Sequence, residues 1–210
     1  MAKQALVTTG ATVTFSKLIE FSLATEYVAE LMDLGYTDYV VQYGKSEGAK
    51  QLVVGLLEKI KRKFELGSNR ELQEEENGQL NLTVIHESNK LHIRCIRYDK
   101  DIASKYTAES NLVISHAGTG SILDSVRLGK KLIVLINDSL KDNHQLEIAQ
   151  AFEELNVLKV AKGNLKEFVQ LTKKMENCQF EKLAQPKGWI LEEVLHSIWN
   201  QGQDNHRLSK

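Results

Sequence analysis

The apolar segment Asn111 to Ser115 runs straight into His116-Ala117-Gly118-Thr119-Gly120-Ser121, and a helical pattern leaves it. A glycine-containing turn between a parallel strand and a helix lets backbone N–H groups approach an anionic ligand with no Cβ in the way. Strand, turn and helix in that order therefore point to a bound phosphate. The unit falls a little past the middle of the chain, where an open α/β sheet carries its second ligand loop at the carboxyl ends of its strands.

The rest of the chain repeats the unit. Gln4 to Thr9 is apolar and ends in Gly10, and Phe15, Leu18, Ile19 and Leu23 follow at helical spacing. Asp38 to Tyr43 is β-branched and aromatic, and Ala49 to Phe64 returns to a helical pattern. Leu66 to Gly78 is polar and acidic and reads as a mobile excursion, over 66–78. Leu80 to His86 and Leu91 to Tyr98 alternate and read as a hairpin, which makes the sheet mixed. Then come a helix near Asp101 to Glu109, the strand from Asn111, a helix from Ser121 to Leu128, a strand from Lys131 to Ile136 and a helix from Asp142 to Leu155. Val157 to Ala161 reads as a last strand, with helices over Leu165 to Met175 and Trp189 to Trp199, divided by the single Pro186. Such alternation implies right-handed crossovers and a doubly wound sheet in one domain, 1–210.

Composition removes several classes. Lys and Arg number 27 against 28 for Asp and Glu, so no long-range field draws this chain to nucleic acid or anionic lipid. Cys95 and Cys178 lack metal-ligand spacing and fit a reducing compartment; Cys95 shares a strand face with Leu91 and Ile93 and reads as core. His86, His92, His196 and His206 have no metal-like spacing either. No apolar stretch approaches the roughly 18 residues that cross a bilayer, so direct membrane insertion is not expected. Ser115 and His116, adjacent on a strand, point to opposite faces, which argues against a hydrolytic pair. A nicotinamide-dependent oxidoreductase is disfavoured because no GxGxxG follows the first strand.

Several residues have two readings. Thr119 and Ser121 serve either as helix caps or as donors to a phosphate. Asp124, read as one turn into its helix, is favoured by the helix dipole or accepts ribose hydroxyls. Asp142 and Gln145 have capping-box spacing, while the polar run Asn137 to Gln145 also suits a sugar site. The stripe Ile190, Leu191, Val194, Leu195, Ile198 and Trp199, within 187–200, packs on its own sheet or meets a partner, ahead of a polar tail, 201–210.

TTGATVTFSKLI, from Thr8, and NLVISHAGTGSILDSVRLGKKLIVLINDSLKDNHQLEIAQAFEEL, from Asn111 to Leu155, carry a specific resemblance. The chain resembles the small subunits of eukaryotic two-protein N-acetylglucosaminyltransferases of glycosyltransferase family 28. It is similar, more distantly, to the C-terminal half of the bacterial peptidoglycan N-acetylglucosaminyltransferase. The resemblance implies a Rossmann-like, mainly parallel α/β domain, the donor half of a GT-B enzyme, that binds UDP-GlcNAc. Gly10, Ala11 and Thr12 match the first diphosphate loop, and His116, Gly118, Thr119, Gly120 and Ser121 the second. Asp124 falls where the relative has a ribose-binding glutamate, His144 and Gln145 where a glutamine pair contacts the sugar, with Asn143 beside them, and Tyr98 in the uracil region.

The general base of the bacterial relative lies in its other half. The resemblance therefore implies a membrane-anchored partner that binds the lipid-diphosphate-linked GlcNAc acceptor and supplies the base, with His116 the one catalytic candidate here. Activity is expected only in the complex, on the cytosolic face of the endoplasmic reticulum. No cofactor is implied. No acidic pair of the DxD kind is read, and no divalent metal is expected to be required. The alternative is a non-catalytic nucleotide-binding adaptor.

Overall fold

The computed structural model describes residues 2–10, 14–64, 71–136 and 144–181. Its strands are β1 (Gln4–Thr8), β2 (Asp38–Gln42), β3 (Gln73–Glu74), β4 (Leu80–His86), β5 (Asn89–Ile96), β6 (Leu112–Ser115), β7 (Lys131–Leu135) and β8 (Lys159–Ala161). They form one sheet in the order β3-β4-β5-β2-β1-β6-β7-β8. From β5 to β8 every neighbouring pair is parallel, and β3 and β4 add an antiparallel edge. The alternating burial of β4 matches a strand covered on one face, whereas every residue of β1 is buried, as a strand packed on both faces requires.

Helices cover both faces. Residues of α1 (Ser16–Ser22), α2 (Thr25–Asp33), α3 (Ala49–Phe64) and α6 (Leu165–Met175) close one core around Val7, Val41, Ile93 and Ile114. Ile122 and Val126 of α4 (Thr119–Arg127), with Ala149 and Phe152 of α5 (His144–Glu154), close the other around Leu6, Val40, Val113 and Val134. The doubly wound α/β class read from the sequence is the one observed.

Three details depart from the sequence reading. A further helix, α2, follows the first, its Tyr27, Val28, Leu31 and Met32 buried on one stripe. The acidic stretch contributes β3, where Glu75 accepts hydrogen bonds from Gln79 and Asn81. The helix expected over Asp101 to Glu109 is only a π-helical turn, Ala103–Thr107. There the Tyr106 carbonyl accepts from Gln4 Nε2 at 3.2 Å and Ser110 Oγ at 2.7 Å, so side chains take up a carbonyl that a continuing helix would have bonded internally.

At the amino end of the sheet Glu176 ties α6 to the strands. Lys3 Nζ lies 2.6 Å from Glu176 Oε2, Tyr36 OH donates to Oε1 at 2.9 Å, and Lys131 Nζ donates to the Glu176 carbonyl at 2.7 Å. Burial alone would raise the Glu176 pKa, but the hydrogen bonds from Lys3 and Tyr36 outweigh it and hold the carboxyl below its ordinary value. A depressed carboxyl stabilises the fold above its unfolded pKa and loses that contribution as the pH falls through the folded one. Glu176→Gln should therefore lower the denaturant midpoint at pH 7, and the deficit should shrink as both proteins are taken below the carboxylate range.

Candidate functional site

β2 pairs with one side of β1 and β6 with the other, so the chain leaves these neighbours in opposite directions and opens a crevice at their carboxyl ends. Two loops line it: the one after β1, described as far as Gly10, and the one between β6 and α4. Ala117 takes a left-handed conformation, φ 67°, and is buried; Gly118 is extended and precedes the first helical residue, Thr119. No side chain among the described residues caps α4, and its first turn carries no acid. The amides of Thr119, Gly120 and Ser121 have no partner within the helix and face the crevice with the positive end of its dipole.

His116 joins the two loops. Its Nδ1 lies 3.2 Å from the Thr8 carbonyl, which can only accept, so Nδ1 carries the proton. Burial lowers the His116 pKa, partly offset by that bond, and the ring is neutral at pH 7. The Cε1–Nε2 edge fills the space beside two glycines. A Cβ on Gly10 would lie 2.8 Å from that edge, and one on Gly118 would lie 2.7 Å from it. Gly120 differs: a Cβ there meets nothing within 4 Å, and the residue is exposed. The two glycines of the turn are thus not equivalent, one making room for a side chain and the other standing open.

Gln42 braces the first loop from beneath, a role the sequence reading missed. Its Nε2 donates to the Gly10 carbonyl at 3.1 Å, and its own carbonyl accepts from Thr9 Oγ1 at 3.0 Å. Thr14, where the described chain resumes, donates from Oγ1 to the Tyr43 carbonyl and from its amide to Ser46 Oγ, both at 2.9 Å. The available signal was one polar residue within the otherwise apolar run Tyr39 to Tyr43, since a buried glutamine needs partners.

The structure thus brings Gly10, His116 and Gly118 into contact, with Thr119, Gly120 and Ser121 immediately beyond. Because α4 starts at Thr119, Asp124 sits in its second turn, past the strongest reach of the dipole. Tyr98 follows β5, three strands from β6 and so about 14 Å across the sheet. It is 39% exposed, with Lys45 Nζ 4.0 Å above its ring. Lys45 also lines a groove of about 600 Å³ with Tyr43, Ser46, Lys50, Asn77 and Arg97. Ala11, Thr12 and Asn143 lie outside the described residues, as do 187–200 and 201–210. His144 and Gln145 open α5, and their side chains are likewise outside the description.

Other readings are refined. Asp99-Lys100-Asp101 does have DxD spacing, contrary to the sequence reading. Asp99 Oδ1 accepts the Asp101 amide at 2.9 Å and Oδ2 meets Lys105 Nζ at 3.0 Å, so this carboxylate anchors the start of the π-helical turn. Ser115 is buried on the sheet face shared with Val113, with no hydrogen-bond partner for its hydroxyl, while His116 reaches toward Thr8. Cys95 is a core residue, and burial pushes its thiol pKa up.

Residues 5–189 match the model of the glycosyltransferase family 28 C-terminal domain. The chain belongs to this glycosyltransferase family. A UDP-N-acetylglucosamine transferase subunit ALG13 from Kluyveromyces lactis is 38% identical over 200 residues, which cover 94% of this chain and 98% of that protein. The subunit of the same name from Saccharomyces cerevisiae is 39% identical over 158 residues, 73% of this chain and 74% of its own length. The NMR solution structure of an ALG13 superposes with a TM-score of 0.68 at 30% identity, covering 94% of this chain and 98% of that one. The Acinetobacter baumannii MurG crystal structure shares the fold, with a TM-score of 0.55 at 16% identity, over 84% of this chain but 42% of MurG. This family 28 domain is therefore a glycosyltransferase unit with the α/β fold found in part of a larger bacterial enzyme. Among the described residues no helix is long and apolar enough to cross a membrane, and no three His, Cys, Asp or Glu side chains converge.

Proposed function

We propose that this chain is the donor-binding subunit of a two-protein UDP-GlcNAc transferase that adds the second GlcNAc, β1,4-linked, to GlcNAc-diphosphodolichol. The observation that carries the reading is the uncapped N-terminus of α4 at the crevice between β1 and β6, in a chain whose relatives are named UDP-N-acetylglucosamine transferase subunits. In this reading the diphosphate lies against the amides of Thr119 to Ser121 and the loop Gly10 to Thr12. Asp124 accepts the ribose hydroxyls and Tyr98 stacks beneath the uracil. Asn143, His144 and Gln145 face the sugar.

The acceptor's 4-hydroxyl attacks the anomeric carbon from the side opposite the diphosphate. A new C–O bond forms, the bond from carbon to the diphosphate oxygen breaks, configuration inverts and UDP departs. The hydroxyl proton passes to a base on the partner. Charge grows on the diphosphate as the bond breaks, and helix amides already aimed there stabilise it more in the transition state than in the ground state. The partner also holds the acceptor and places the complex on the cytosolic face of the endoplasmic reticulum.

The decisive experiment mixes the chain with membranes containing the partner and follows sugar transfer from UDP-GlcNAc to a lipid-diphosphate acceptor. Transfer that needs both components supports the reading; UDP binding with no transfer under any combination would leave a nucleotide-binding adaptor instead. Within the active pair, Asp124→Ala should raise the KM for UDP-GlcNAc about 10- to 100-fold, the loss of charge-assisted hydrogen bonds to two hydroxyls. An unchanged KM would remove Asp124 from the ribose.

A further inference from the structure

We infer that His116 is a positioning residue: its imidazole is the spacer that sets how far Gly10, after β1, stands from Gly118 at the N-terminus of α4, and so fixes the width of the crevice that one ligand meets. The inference rests on the donor reading for what is positioned, and on the geometry for how. The Nδ1–H bond ends on the Thr8 carbonyl, the last residue of a fully buried strand, so one end of the ring is anchored to the rigid sheet. The other edge is the surface that both glycines abut.

Gly118 makes the point most cleanly. Its φ of −67° and ψ of 125° suit any residue, so backbone strain does not call for glycine there. What a Cβ meets is the imidazole, at 2.7 Å. At Gly10 the same ring is met at 2.8 Å, and a φ of 79° adds a backbone reason for glycine. Both glycines therefore owe their identity in part to His116. Gln42 holds the Gly10 carbonyl as well, so that Gly10 has little freedom to shift.

The spacer can be tested without any ligand. Gly118→Ala should lower the Tm of the full-length chain by about 5 °C, the effect of one methyl forced into filled space. In a His116→Asn background, where the side-chain amide can still donate to Thr8 but the Cε1–Nε2 edge is gone, the same alanine should cost little. His116→Ala provides a second background for the same cycle. Equal losses in all three backgrounds would overturn the spacer.

UDP titrations then separate positioning from contact. An asparagine amide nitrogen falls near the Nδ1 position and a glutamine one near Nε2. His116→Asn should therefore retain UDP affinity better than His116→Gln, by about tenfold, the worth of the bond that sets the loop. Better retention by glutamine would mean that Nε2 touches the ligand, and the positioning role would fall. If the unmodified chain and its assembled complex failed to bind UDP, the donor reading would fail while the stability cycle still decided the spacer.

Discussion

Gly120→Asp should reduce transfer from UDP-GlcNAc by at least about 100-fold while leaving the Tm unchanged or slightly raised. The two effects have separate causes. A Cβ at Gly120 meets nothing within 4 Å, and the residue sits in the first turn of an uncapped helix, a turn that carries no acid. An aspartate there complements the dipole by about 0.3–1 kcal/mol, and replacing a helical glycine relieves further backbone entropy. The same carboxylate would occupy the place proposed for the diphosphate, with like charge and with a claim on the same amides. Gly118→Asp is a different experiment, because it drives a side chain into His116 and should unfold the turn. Thermal melts and a transfer assay on both variants distinguish a ligand surface from a packing requirement. Full activity in Gly120→Asp would move the anion elsewhere.

Phe168→Ala should destabilise the fold by about 3–5 kcal/mol, a Tm loss of about 10 °C, with little change in UDP affinity at temperatures where the variant is folded. The Phe168 ring is fully buried, its centroid 4.7 Å from that of Tyr27 and 5.9 Å from that of Phe21. It anchors α6 to α1 and α2 on the face of the sheet opposite α4. Removing it opens a cavity that its aromatic neighbours, on two other helices, cannot close by small shifts. A parallel loss of UDP affinity would mean that the two faces are coupled through the sheet.

The strands of the parallel centre were plain in the sequence because burial on both faces demands uninterrupted apolar runs, and β1, β2, β6 and β7 each show one. The helix α2 was passed over although Tyr27, Val28, Leu31 and Met32 carry its stripe, since one helix already accounted for a strand crossover. The π-helical turn had no local signal. It depends on Gln4, more than a hundred positions away, whose side chain takes the Tyr106 carbonyl.

At the crevice, the two glycines of the turn were legible in the sequence, but not their division of labour. Gly118 and Gly120 look alike in sequence, and only the placement of the His116 ring separates a packing glycine from an open one. Gln42 escaped notice for a related reason. Its partners, Thr8, Thr9 and Gly10, become neighbours only when β1 and β2 pair in register.

The Glu176 clasp and the α4 crevice occupy opposite ends of the same short strands. Five residues of β1 hold them about 16 Å apart, far enough for free-energy changes at the two ends to sum independently. Tighter bonding around Lys3 and Tyr36 would thus add a reserve of folding free energy that substitutions at the crevice can draw down. Variants with a new donor preference, otherwise too fragile to purify, become accessible by repair at the distant end.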